Sequence, residues 1–167
     1  MSITLSQAAR SRYATDDVPE EALEAYGYIL LAVSAADGAV SPKERRWFDD
    51  WAHGIGASDA LLAKWEAFDP QSVDLQSFIA GTRARRKGEW SSLIKAESSI
   101  NYARTLVYDS IRMARADEEY HSHERSAVHK AAAMLHVDKA TLLSIEAVVD
   151  LEEGLRGMRH SLFARVE

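Results

Sequence analysis

Apolar positions recur along this chain at the 3.6-residue spacing of amphipathic helices, punctuated at short intervals by caps and breakers. A short helix is expected over Thr4 to Tyr13. A longer one starts near Pro19, with Asp17 placed to cap it and Glu20 and Glu21 in its first turn, and runs to about Ala36. Its Leu23, Tyr26, Leu30 and Val33 share one face, which predicts core. "SPKE" opens the next helix: Ser41 caps, Pro42 suits the first position, and Glu44 completes a capping box. Trp47, Phe48, Trp51 and Ile55 supply its apolar stripe. "GIGAS" ends it, and Ser58 caps a short helix through Trp65. "FDPQSVD" is a turn, and Leu75, Phe78 and Ile79 belong to a further helix. After the basic, glycine-bounded connection "GTRARRKG", a long helix is expected over about Trp90 to Ala116. Two more follow, over about Ser122 to Leu135 and Lys139 to Val149, and a last one over Leu151 to Phe163. No segment alternates as a strand would.

A shift of 80 positions lays the second half over the first without a gap, so that "YILLAVSAADGAVSPKERRW" meets "YDSIRMARADEEYHSHERSA". Tyr28 meets Tyr108, Asp37 meets Asp117, Glu44 meets Glu124 and Arg45 meets Arg125. Farther on, Ile55 meets Leu135, and Ser58 meets Asp138, both good N-caps. The pattern predicts an all-α fold: a compact bundle of about seven to nine helices built from two pseudo-symmetric units. A single domain over residues 1–167 is expected, with units at about 19–65 and 90–149 and a C-terminal helix at about 151–163.

Composition sharpens this picture. Alanine, leucine and charged helix formers dominate, and glycine and proline number only eight and three. The chain has no cysteine, which removes disulfides, thiolate zinc sites and cysteine nucleophiles. Its net charge of −6 argues against nucleic-acid binding, whose affinity comes mainly from neutralising phosphates. No signal-peptide pattern opens the chain, and "YGYILLAVSAA" is too short to span a bilayer. A soluble, cytoplasmic protein is expected.

The chemistry worth weighing lies in "AADGAVSPKE" and its counterpart "ADEEYHSHE". In the first, glycine and serine suffice to make a capped turn. In the second, Glu118 replaces Gly38 and His121 replaces Ser41, yet both carboxylates remain. Asp37 and Asp117 fall at the C-terminal ends of helices, where the macrodipole disfavours negative charge. An acid there wants a partner: Arg45 or Arg125, backbone donors, or a divalent ion. The first loop also matches the later part of an EF-hand loop. Val33 and Ala35 stand where its first ligands belong, so the conventional calcium site is not formed. Together Asp37, Glu44, Asp117 and Glu124 would make a hard, oxygen-rich site suited to calcium, magnesium or manganese. Capping and salt bridges are the competing account.

At these residues the chain resembles the TerB-like family associated with tellurite resistance. The signature is an apolar helix ending in A-x-A-D-G, followed by an apolar residue, a small polar one and a Glu opening the next helix, here "SAADGAVSPKE". The resemblance covers roughly 19–149. It implies a compact all-α bundle with pseudo-symmetric halves, and an accessory or scaffold role in tellurite resistance and stress response. It also implies divalent-metal binding or sensing at Asp37, Glu44, Asp117 and Glu124. The second loop departs from the pattern in lacking the glycine and carrying histidines, so the two loops need not share a metal preference.

Other constellations carry less. His121, His123 and His129 sit near Asp117 and Glu124 in sequence and would suit zinc, but His121 and His123 do not share a helix face and form no metalloprotease motif. Arg83 to Lys87, "RARRK", is a local basic patch. Trp90 is the tryptophan expected to be exposed. No phosphate loop or nucleophile elbow appears, and no organic cofactor is expected. The leading expectation is a non-enzymatic accessory, scaffold or sensor protein with protein partners, stress-response or membrane-associated ones among them. The alternatives are a metal-dependent hydrolase using the same acids with His121 or His123, and an interaction module using the 83–87 loop or the tail helix.

Overall fold

The computed structural model describes residues 2–79, 101–117 and 122–164. Its centre is α2 (Glu20–Ser34), which buries ten of its fifteen residues and therefore has neighbours on nearly every side. Ile29, Leu30 and Leu31 are essentially inaccessible, each worth roughly 1.5–3 kcal/mol of transfer free energy. Across them lies α5 (Tyr102–Ala114), which contributes Leu106, Val107, Ile111 and Met113 to the same core. Asn101 caps α5 by accepting from the Arg104 amide at 3.2 Å, in extended conformation. Of the helix expected over Trp90 to Ala116, the part described begins at Tyr102 with Asn101 as its cap, and 90–100 lie outside the described residues.

A 3₁₀ turn, Ala35–Asp37, closes α2, and α3 (Pro42–Ile55) follows with the full capping box. The Ser41 hydroxyl accepts from the Glu44 amide at 3.1 Å, and the Glu44 carboxylate accepts from the Ser41 amide at 2.8 Å. α3 ends at Gly56 in the left-handed region, φ 88°, and α4 (Asp59–Glu66) starts from Ser58. The second half repeats this order eighty positions on. A 3₁₀ turn at Arg115–Asp117 closes α5, and α6 (Ser122–Met134) and α7 (Lys139–Phe163) follow. His136 takes the left-handed place of Gly56, φ 57°, and Asp138 caps where Ser58 does. The two turns are exchanged in packing: Ala35–Asp37 lies against α6, and Arg115–Asp117 against α3.

Aromatic rings fill the first half. Tyr26 stacks on Trp51 at 5.6 Å and 16°, and Phe48 meets Trp65 edge-on at 5.4 Å. The Trp65 ring presses onto α2 at Gly27 and donates to the Glu24 carbonyl at 3.0 Å. A Cβ on Gly27 would lie 2.3 Å from that ring.

Three expectations are corrected. The N-terminal segment contains two strands, β1 (Ser2–Thr4) and β2 (Asp17–Pro19), paired antiparallel with Ile3 opposite Val18. Three-residue strands are too short to show alternation. They flank α1 (Gln7–Tyr13), which is capped by Ser6 and packs on α3. Asp17 thus sits in β2, and α2 begins after Pro19 without a side-chain cap. Finally, α7 is one helix of 25 residues rather than two. Asp150 and Glu153 both bind Arg115 across the expected break, and Gly154 and Gly157 are accommodated within the helix. The connection at 81–88, with its Arg83–Lys87 patch, and Trp90 lie outside the described residues. No helix among the described residues is long and apolar enough to cross a membrane.

The Gly27 contact yields a measurable consequence. Gly27→Ala should lower unfolding free energy in urea by about 1–3 kcal/mol, because the Trp65 ring has to move. Gly54→Ala, in α3 with no atom within 4 Å of a new Cβ, should leave stability unchanged or raise it by up to about 1 kcal/mol. Equal effects at the two glycines would contradict the packing described.

Candidate functional site

The exchanged packing of the turns brings the candidate acids of the two halves toward one another. Asp37 and Asp117 are the last residues of their 3₁₀ turns. Their carboxylates lie outside the described residues, as does His121. Glu44 and Glu124 each occupy the third position of their helices. Glu44 is only 4% exposed. Its Oε1 accepts from the Ser34 hydroxyl at 2.6 Å and its Oε2 from the Ser41 amide. Burial pushes its carboxyl above the usual range and the charge of Glu124 adds to that, while the serine hydrogen bonds pull the other way. The charge of Glu124, from the other half, is thus felt at Glu44 as the smallest of these influences.

The other residues singled out by sequence fall elsewhere. Arg45 pairs with Asp49 at 3.2 Å, one turn along its own helix. Arg125 forks onto Glu146, with Nε and Nη2 at 3.1 and 3.0 Å, and His129 Nε2 meets the same carboxylate at 3.0 Å. His129 thus belongs to an α6–α7 clasp, and His123 is exposed on the first turn of α6. Among the described residues, no three His, Asp or Glu side chains gather at metal-ligating distance.

Two features had no signal in the sequence reading. Asp109, on α5, is wholly buried. Its Oδ2 accepts from the Tyr13 and Tyr26 hydroxyls at 2.8 and 2.7 Å, and its Oδ1 from Arg112 at 3.1 Å. Trp51 donates to the Tyr13 oxygen at 3.1 Å. One carboxylate thus ties α1, α2, α3 and α5 together. Burial pushes the Asp109 carboxyl up, and Tyr26, Arg112 and Tyr13 counter it. Arg112 emerges between the rings of Trp47 and Tyr108, 5.2 Å from each centroid. There it reaches the second feature, a cleft of about 920 Å³ between α3 and the outer part of α7. Among the described residues seven cationic side chains and three carboxylates line it, with Arg112 paired to Asp109 and Arg115 to Asp150 and Glu153. A hydrophobic run holding one aspartate gave no hint of the first, and the cleft is assembled from residues over a hundred positions apart.

Comparison with known proteins bears on the family and the fold. A model of the family described as tellurite resistance protein TerB matches residues 22–147, a span that contains both acidic turns. A crystal structure of a tellurite resistance protein from Nostoc punctiforme superposes with a TM-score of 0.76 at 21% identity. It covers 97% of this chain and 93% of its own. That likeness places the fold as all-α and of the same architecture. No curated protein matches the chain significantly.

Two outcomes are expected of the buried carboxylates. Asp109→Asn should cost about 2–4 kcal/mol of unfolding free energy, since it strands Arg112 and weakens both tyrosine bonds; a change within error would remove Asp109 as a tie. Glu146 behaves differently with pH. Burial alone would raise it, but Arg125 and His129 outweigh that and hold it below the usual carboxylate range. Its contribution is present above the unfolded value of about 4.3 and is lost as pH falls through the folded value. Glu146→Gln should cost about 1–2 kcal/mol at neutral pH, and the gap from wild type should narrow as denaturation is repeated below about pH 4.

Proposed function

This chain belongs to the tellurite resistance protein TerB family, and from that premise we propose that it is a non-enzymatic accessory protein in tellurite resistance or the stress response. It acts as a scaffold or sensor whose two halves, units of one domain, are joined by a divalent cation. The observation that supports this reading is the exchange of the acidic turns. Each turn packs on the other half's helix, and the charge of Glu124 reaches the buried carboxyl of Glu44. A cation there would offset that charge and complement the two helix ends on which Asp37 and Asp117 sit.

The donor set fits such an ion. Asp37, Glu44, Asp117 and Glu124 supply hard oxygens, which favours calcium, magnesium or manganese over zinc. An ionised carboxylate has about four lone-pair directions. Glu44 accepts from the Ser34 hydroxyl and from the Ser41 amide. The ion would supply charge neutralisation alone. The residues do the remaining work: the capping box fixes the Glu44 rotamer at the head of α3, and the 3₁₀ turns set the aspartates at the junction. A signal is the change in how firmly the halves are held together, read by partner proteins.

The test is thermal unfolding after chelation, titrated with calcium, magnesium, manganese and zinc. One of the hard cations should give a saturable upward shift, about 2.7 kcal/mol at a hundred times its Kd. Asp37→Asn and Asp117→Asn should each abolish it. Midpoints indifferent to every ion would refute the cation and leave the turns as capped structural joints.

A further inference from the structure

Every large apolar side chain that is exposed among the described residues lies on α7, from Leu143 to Phe163. Five of them form a line. Val148, Leu151, Leu155, Met158 and Leu162 follow one another at spacings of three, four, three and four, the a/d seam of a coiled coil. Leu151 is 74% exposed and Leu162 72%, so the seam is open. The helix also outruns its support. Val149 is its last buried residue, and from Gly154 to Phe163 every position is exposed. Ten residues of helix with no packed face are marginal in water by themselves. An apolar seam on such a helix implies a cover.

We propose that the cover is the same seam of a second copy, laid antiparallel about a two-fold axis between Leu155 and Met158. In this register Leu155 meets Met158 of the partner and Leu151 meets Leu162 of the partner, and the axis repeats both contacts. The seam is therefore self-complementary, as an isologous dimer demands. Charge selects the antiparallel sense. Glu152 and Arg159 sit at equivalent flanking positions on one side of the seam, where antiparallel helices face each other e to e. The axis sets Glu152 of each copy beside Arg159 of the other, two opposite-charge pairs. Both residues are placed for this: Glu152 is steadied by the Tyr108 hydroxyl at 2.6 Å, and Arg159 has no ion pair or hydrogen bond among the described residues. On the other flank stand Gly154 and Ser161, small enough for close approach of the helices. A parallel pair would lose this matching of charge.

Sedimentation equilibrium of the full chain tests the arrangement. The wild type should be a dimer, and Leu155→Glu or Met158→Glu should give monomers that melt at the wild-type dilution limit, since neither side chain belongs to the core. Arg159→Glu places Glu against Glu at both ends, and Glu152→Arg places Arg against Arg; each alone should weaken dimerisation at least tenfold. Mixed, they restore both pairs in the antiparallel register and should form heterodimers of near wild-type affinity. A wild type monomeric throughout the concentration range overturns the proposal, as does a dimer indifferent to Leu155→Glu. Failure of the mixture to recover would overturn the antiparallel register.

Discussion

The packing of α2 against α5 is the constraint on which the rest of the molecule depends. Each helix is the apolar centre of its own half, and neither half has enough surface of its own to cover it. Ile29, Leu30 and Leu31 on one side and Leu106, Val107 and Ile111 on the other are all at most 1% exposed. Six such side chains amount to about 10 kcal/mol of transfer free energy, comparable with the net stability of an ordinary domain. The halves are obliged to fold onto each other. That obligation also sets the polar geometry. The 3₁₀ turns that close α2 and α5 are delivered to the opposite half, and with them the aspartates and the helix-opening glutamates.

Superimposed on this repeated frame are departures that give the halves different work. Ile29 corresponds to Asp109 at the repeat offset, and the exchange of an apolar group for a charged one recruits Tyr13, Tyr26 and Arg112. An N-terminal strand pair and α1 are laid over the first half, and Tyr13 from that segment is what reaches Asp109. The buried carboxylate and the added segment are therefore parts of a single arrangement. Likewise Glu66 and Glu146 correspond, but only Glu146 is clasped by Arg125 and His129. The clasp secures α7 where it must extend well past the length of α4.

How far this could be read from sequence follows from the range of each interaction. Local signals were legible: the Ser41–Glu44 capping box, the Ser58 and Asp138 caps, and the core faces of α2 and α3 all depend on residues within four positions of each other. The offset joining Asp37 to Asp117 was legible as well, because a repeat compares local signals with themselves. The strands at Ser2–Thr4 and Asp17–Pro19 were not, since their pairing is the only thing that makes them strands. Asp109 was hidden for the same reason. Its tyrosine partners come from two other elements, and nothing near it in sequence tells a buried aspartate from a surface one. Gly27 was equally silent, because the ring that forbids a Cβ there belongs to Trp65 in α4.

A capping residue and a cation ligand are usually set against each other as explanations of the same glutamate. In the reading proposed for Glu44 they reinforce each other. A carboxylate that only capped α3 would gain by facing water, yet Glu44 is buried and its carboxyl is pushed upward, by burial first of all. The Ser34 and Ser41 bonds hold it there in one orientation. Fixed orientation is what a ligand needs if binding is not to cost side-chain entropy. Ser34 is the last residue of α2 and Ser41 caps α3, so the same two bonds also lock the turn that carries Asp37. The cap thus supports the turn, and in the proposed reading it holds Glu44 in the orientation that a bound cation would need.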